Sequence, residues 1–390
     1  MFPDTRTAAL EQLEAFLPRA GRAYASRRNH DTGPGTERTT SMLSPAIRRK
    51  LITEAEVCAR VMATQGHAAA EKFIQEICWR TYWVGWLQQR PGVWARYREE
   101  LAASQERVDL DRAPQRRYAA ALAGETGIDA FDGWAKELVE AGWLHNHARM
   151  NFASIWIFTL QLPWQLGADF FYRHLLDACP ASNTLSWRWV AGLQTAGKTY
   201  LANPESIRKM HPRFRLEAPL ARTAIALPAD DPGPPRGIRP AQQFDDGKRT
   251  GLFITTADLS LETEILPKLV AVAATSRIGG APSPLKCAHA ETALADGLAR
   301  AAAHAQVEGE RLDEENPIEA MRAWVAQHGL EQVVTGEAPV GPEAERLAAL
   351  EAAGIPIVRV RRQWDDLAWP QASKGFFAFK AAIPRLLATV

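Results

Sequence analysis

Apolar positions in the first half of the chain recur at helical spacing, whereas after residue 250 they fall into short β-branched runs. Helices are therefore expected first and a small sheet afterwards. Ser44-Pro45 supplies a cap residue followed by proline in a first helical turn, and Thr53 with Glu56 three residues on makes a capping box. A long helix is predicted over 67–87, with Phe73, Ile77, Trp83 and Trp86 among its apolar positions. Gly142 ends another helix, a further one runs over 145–162 to its stop at Pro163, and an amphipathic stretch covers 166–178. The segment 228–248, PADDPGPPRGIRPAQQFDDGK, holds five prolines and three glycines in 21 residues and reads as a linker. Beyond it, GLFIT (251–255), LVAVAA (269–274), EQVVT (331–335) and IPIVRV (355–360) read as strands, with helices at 289–305, 316–328 and 342–353 separating the later ones. That alternation predicts a parallel sheet covered by helices. The expected organisation is mainly α: an all-helical domain over residues 1–215, a Pro/Gly-rich linker over 216–250, and a small α/β parallel-sheet domain over 251–390.

Composition adds limits. A chain of 390 residues, 46% hydrophobic and 23% charged, is globular and long enough for two cores. It contains no apolar run of about 18 residues, so no membrane span is expected. The opening MFPDTRTAALEQLEAF lacks the basic-then-apolar pattern of a secretory signal, and a cytoplasmic location is expected. Cys58, Cys78, Cys179 and Cys287 form no CxxC pair, so no metal centre is expected. The net charge of +1 hides an asymmetry: residues 1–215 carry 28 Lys/Arg against 22 Asp/Glu, and residues 216–390 carry 18 against 23. A basic face for a polyanion would belong to the first half.

Ten of the thirteen tryptophans precede residue 190. Tryptophan is ordinarily core filler with one polar handle, but several here adjoin polar residues that a structural helix does not need. Thr39, Thr40, Ser41 and Ser44 place four hydroxyls at a helix entrance, where backbone N–H groups favour a phosphate. Glu76 and Arg80 stand four apart in an apolar helix. The turn at Gly142 delivers Asn146 and Arg149, three apart, to one helix face. Asp177 can pair with Arg149, while Asn183 can hydrogen-bond a ligand edge and Trp187 and Trp189 can stack.

TSMLSP, EICWRTYW, TGIDAFDGWAKELVEAGWLHNHARM and DACPASNTLSWRWVAG followed by NPES resemble the FAD-binding domain of photolyases and cryptochromes, in order and spacing, over roughly residues 10–210. The resemblance implies FAD as cofactor, its phosphates held by Tyr24, Thr40, Ser41, Leu43 and Ser44 with Arg80 nearby. It implies a buried Arg149–Asp177 pair under the flavin ring and Asn183 facing the flavin N5. Glu76, Trp79, Asn146, Met150 and Trp189 would line a lesion pocket, the two tryptophans clamping a flipped-out pyrimidine dimer in single- or double-stranded DNA. Glu76 in its protonated form and the Asn146 amide would donate to the charge that develops on the dimer. Trp187 and Trp164 would be the first two members of an electron-transfer chain to the flavin.

The departures are specific. Cys179 stands where the family commonly has a second Asp beside the flavin, and His147 replaces the arginine of a His-Asn-Arg motif. Asp111 stands at the position of the chain's terminal tryptophan, leaving Trp164 as the end or Trp134 or Trp94 as an exit. The α/β segment follows the helical domain instead of preceding it, as a permuted and shortened version would, and no antenna motif is recognisable. The favoured expectation is a light-dependent deoxyribodipyrimidine photolyase, a carbon–carbon lyase. The alternatives are a blue-light signalling flavoprotein of cryptochrome type and a DNA-binding flavoprotein without a light function.

Overall fold

The computed structural model describes residues 2–36, 38–228, 230–275 and 280–390; Ala229, inside the expected linker, lies outside them. All helices up to residue 210 precede the first strand, and the five strands lie within 250–360. The chain forms two compact units, one of Met1–Gly21, Met42–Gln89 and Pro235–Val390, the other of Arg22–Ser41 and Arg90–Pro234.

In the first unit, strands β1 (Thr250–Ile254), β2 (Leu269–Ala274), β3 (Gly309–Arg311), β4 (Gln332–Gly336) and β5 (Ile357–Val360) make one parallel sheet in the order β3-β2-β1-β4-β5. β3 escapes the sequence pattern because Gly-Glu-Arg is a short, polar edge strand with no apolar alternation. Phe253, Ala271, Ala273, Val333 and Ile357 form one core with Met321, Trp324, Leu347 and Leu350 of the helices Pro317–His328 and Pro342–Ala352. Gly251 is required there, since a Cβ would stand 2.5 Å from Leu330 and 2.6 Å from Trp324.

The helices Glu54–Gln65 and His67–Gln88 belong to this unit too. Thr53 and Glu56 form the expected capping box, while Ser44, expected as a cap, is the first helical residue after Leu43, which makes no side-chain cap bond. Gly85 lets the long helix approach the 369–373 turn so closely that a Cβ would lie 2.8 Å from the Trp369 Cα. Gln89 Nε2 donates to the Trp369 carbonyl (2.8 Å), Trp364 Nε1 to Thr81 Oγ1 (3.1 Å) and Tyr82 Oη to the Lys374 carbonyl (3.0 Å). Past the carboxyl ends of β1 and β5, the Arg362 guanidinium grips Asp258 with two hydrogen bonds, 2.7 and 2.8 Å, and Lys50 Nζ pairs with Asp365 at 2.7 Å. The stretch 235–248 is pinned along the sheet unit, with Gln332 Nε2 donating to the Asp245 carbonyl (2.6 Å) and Gln242 Oε1 accepting from the Arg359 N–H (2.6 Å).

The second unit is helical. The stretch expected as one helix over 145–162 is an α-helix, Asn146–Ser154, continued by a π turn, Ile155–Thr159. The next helix, Trp164–His174, stops at Leu175, whose extended backbone (φ −65°, ψ 125°) leads into the turn carrying Asp177. Residues 217–228 and 230–234 make no helix or strand but are strapped down: Asp230 accepts two hydrogen bonds from the buried Arg188 (2.8 and 2.6 Å) and one from Arg96 (2.9 Å). Among the described residues no helix is long and apolar enough to cross a membrane.

Candidate functional site

In the second unit, Gly142 caps its helix in the left-handed region (φ 64°), and the reversed chain restarts as a helix capped by the His145 side chain, which accepts from the His147 N–H. This turn aims Arg149 at the 175–179 turn, itself tied down by the Leu176 N–H bond to the Gly142 carbonyl (2.9 Å). The Arg149 guanidinium donates to both oxygens of the buried Asp177 carboxylate at 3.0 and 2.8 Å, and its Nε to the Leu144 carbonyl at 2.8 Å. A bidentate charge-assisted pair of this kind fixes both position and plane. Two residues on, Cys179 caps the helix Pro180–Val190, its sulfur accepting from the Ser182 N–H (3.3 Å). The thiol thus performs the capping role that an aspartate performs elsewhere. On that helix Asn183 is buried and donates to the Ala168 carbonyl (2.7 Å), which sets the direction of its amide.

Trp187 is buried, and its ring neighbours are Phe171, Trp156 and Phe152 at 5.1, 6.1 and 6.4 Å between centroids. Trp164 instead packs on Tyr97 (5.5 Å), and Tyr97 on Trp94 (5.3 Å). Trp134 lies against His211 and Phe214. Asn146 and Met150 come together one helical turn apart, Nδ2 to Sδ 3.8 Å. Trp189, half-buried, is backed by the Tyr200 ring at 5.7 Å and 29°.

In the first unit, Glu76, Trp79 and Arg80 share the helix His67–Gln88. Arg80 reaches Glu54 (3.5 Å). Trp79 stacks face to face with Phe376, 3.6 Å between centroids and 9° from parallel. Both tryptophans singled out from sequence therefore have one ring supported by a second aromatic, Phe376 or Tyr200, which sequence reasoning missed. The crowding of three phenylalanines in KGFFAFK (374–380) is the signal that could have pointed to the first.

The hydroxyl-rich loop contains one strained backbone position. Thr40, Ser41 and Ser44 are half-buried, Tyr24 and Leu43 are buried, and Met42 stands at φ 58° immediately before Leu43 at φ −92°, ψ −4°. A non-glycine residue at such a φ is strain of the kind kept at functional loops.

Sequence reasoning also passed over a buried cluster in the second unit. His147, at the family's arginine position, stacks on His211 (5.1 Å), its Nδ1 2.9 Å from His211 Nε2, and His211 Nδ1 lies 3.3 Å from Asp31 Oδ2. One tautomer set satisfies the chain: His147 Nδ1–H donates to His211, and His211 Nδ1–H donates to Asp31. Arg38 (3.0 Å) and the Gly33 N–H (3.1 Å) also donate to Asp31. Burial presses the Asp31 carboxyl upward, but His211, His145 and Arg213 outweigh it and hold the group well below the usual carboxylate range. Burial, with neighbouring imidazoles, holds His145 and His147 down to about 4 from 6.5. Each stays neutral in the fold while the unfolded chain takes up a proton, so stability is full above pH 6.5 and falls as the pH drops towards 4. The loss should be on the order of 3 kcal/mol per histidine at its limit. The urea midpoint should drop between about pH 7.5 and about pH 5; a midpoint that holds or rises would contradict the burial argument.

Residues 73–213 match the family model of the FAD binding domain of DNA photolyase. This stretch is therefore similar to the FAD-binding domain of photolyases and cryptochromes. The chain is 34% identical over 157 residues to a deoxyribodipyrimidine photo-lyase of Streptomyces griseus, covering 40% of this chain and 33% of that protein. It is 29% identical over 225 residues to the photo-lyase of Alkalihalophilus pseudofirmus, covering 56% and 44%. The chain thus spans between a third and a half of the length of these relatives. A class III photolyase structure from Agrobacterium tumefaciens aligns at a TM-score of 0.42 and 27% identity, over 53% of this chain and 42% of that one.

The cofactor of this photolyase-type domain is FAD. Residues of the second unit fit it: the bidentate Arg149–Asp177 pair offers a charge-balanced wall for a redox-active ring.

Proposed function

We propose that the protein is a light-dependent DNA photolyase that splits pyrimidine dimers, using Tyr24, Thr40, Ser41, Leu43, Ser44 and Arg80 for the FAD phosphates, and Arg149, Asp177, Cys179 and Asn183 for the flavin ring. Bound FAD supplies light-driven one-electron transfer to the dimer. The chain's own residues bind and orient the lesion. Trp79 and Trp189 stack on a flipped dimer, Met150 fills the apolar slot, and Glu76 and Asn146 donate to the carbonyls where negative charge develops. Unstacking a dimer from the duplex requires a few kcal/mol, which rigid aromatic walls return through stacking. What supports this reading is that the set the resemblance implies for a lesion pocket, Glu76, Trp79, Asn146, Met150 and Trp189, is complete, with Trp79 and Trp189 each backed by a second ring. Trp187 is the entry point for electrons that reduce the flavin.

A dimer-containing oligonucleotide illuminated with the reduced, flavin-loaded protein should lose its dimers, and Glu76→Ala should slow that loss while leaving flavin content unchanged. No loss of dimers with fully reduced flavin would reject the repair reading. It would leave the cryptochrome-type signalling role, which Cys179 at the usual aspartate position and Asp111 at the usual tryptophan position favour.

A further inference from the structure

We infer that electrons reach Trp187 by way of Trp156, and that Tyr118 is the terminal donor in place of the tryptophan missing at position 111. The inference rests on the reading of Trp187 as the entry point. Asp111 is exposed and spends its side chain capping the helix Arg112–Ala123, accepting from the Ala113 N–H at 2.9 Å, so it has no part in an electron path. Tyr118 lies two turns further along that same helix and is buried.

Among the described residues Trp156 is the only tryptophan in ring contact with Trp187, 6.1 Å between centroids and 86° apart. Gly167 makes the approach possible, because a Cβ there would stand 2.3 Å from Trp187 Cη2 and 2.9 Å from Trp156 Cε2. Trp156 in turn meets Tyr118 edge to face at 5.9 Å. The three rings form a continuous series, whereas Trp164 contacts Tyr97 and not Trp187.

The polar surroundings give the series a direction. The buried Trp187 Nε1 finds no hydrogen-bond partner among the described residues, so a positive charge on this indole is left unsupported. Trp156 Nε1 donates to the Pro163 carbonyl at 2.9 Å, which stabilises a positive charge on that ring. The hole left when Trp187 gives up one electron therefore moves to Trp156. Tyr118 then returns one electron to Trp156 and loses its phenolic proton, and that loss traps the hole as a neutral tyrosyl radical. The proton has an exit: Tyr118 lies within the electrostatic reach of Arg173 and Asp169, whose ion pair (2.9 Å) is half-exposed to solvent. One electron enters the flavin for each Tyr118 oxidised, and external reductant restores the tyrosine.

The test uses the full, flavin-loaded chain. Protein grown on ring-deuterated tyrosine should show a narrowed light-induced EPR signal against the unlabelled protein; a signal indifferent to the label overturns the inference. Trp156→Phe and Tyr118→Phe should each abolish the tyrosyl signal with flavin content and thermal transition retained, Trp164→Phe should leave it, and Gly167→Ala should weaken it by forcing the indoles apart. Loss in Trp164→Phe with survival in Trp156→Phe would likewise overturn it. Photoreduction that persists in Trp187→Phe would instead strike the reading of Trp187 itself.

Discussion

Asp177→Asn should leave the protein largely stripped of flavin after desalting. The substitution keeps the shape of the side chain but removes the charge that faces Arg149, whose guanidinium is held by both carboxylate oxygens and by the Leu144 carbonyl and cannot swing freely to water. Breaking one partner of a buried pair costs about 3–5 kcal/mol, and the lower end applies because the Arg149 side chain is 24% exposed. If that strain falls on the cofactor wall, flavin affinity falls roughly a hundredfold, since about 1.4 kcal/mol is tenfold. Flavin absorbance per protein and the thermal transition measure the two shares separately. Full flavin retention with an unchanged transition would show that the pair supports neither the site nor the fold.

The second large effect concerns stability. Lys50 is half-buried among carboxylates, 2.7 Å from Asp365 and 3.6 Å from Glu54. Burial works against its charge, but Asp365, Glu54 and Asp258 outweigh it and hold the ammonium above its ordinary range. Lys50→Met should therefore leave Asp365 and Glu54 without their shared cation and destabilise the first unit by about 3–5 kcal/mol. The double variant Lys50→Met/Asp365→Leu should recover part of that loss, because Asp365 no longer stands as an unpaired charge while Glu54 keeps Arg80 at 3.5 Å. Denaturant midpoints of the single and double variants decide the matter. A single variant as stable as the parent, or a double variant no better than the single, would place the stabilisation elsewhere, in the Asp258–Arg362 pair or the Trp369 contacts.

Local elements were legible wherever the signal is short-range. The capping box at Thr53–Glu56, the stop at Gly142 and four of the five strands sit within a residue or two of their expected positions, because caps, left-handed glycines and β-branched runs act over a few residues. β3 was not legible, since its three polar residues pair only because β2 lies alongside. The π turn at Ile155–Thr159 was not legible either, since the sequence supplies apolar residues throughout and nothing local selects the wider turn.

Of the candidate site, the Arg149–Asp177 pair could be foreseen from residue type and family position, and the structure makes it bidentate. Phe376 behind Trp79 could not, because 297 residues separate the two rings and no local pattern joins them. The His147–His211–Asp31 series is of the same kind: each residue alone reads as an isolated polar position, and only the fold puts His211 between the other two.

Periodicity, caps and motif order therefore determined most of the helices, four of the five strands among the described residues, and the resemblance that points to FAD. Tertiary structure decided what stands behind the residues singled out: Phe376 on Trp79, Tyr200 on Trp189, Trp156 and Tyr118 in series with Trp187, and three buried imidazoles with the Asp31 carboxylate around position 147. The physical reason is range. Backbone preferences and capping are local, but side-chain stacking, desolvation and charge pairing depend on which distant segments the hydrophobic core brings within a few ångströms.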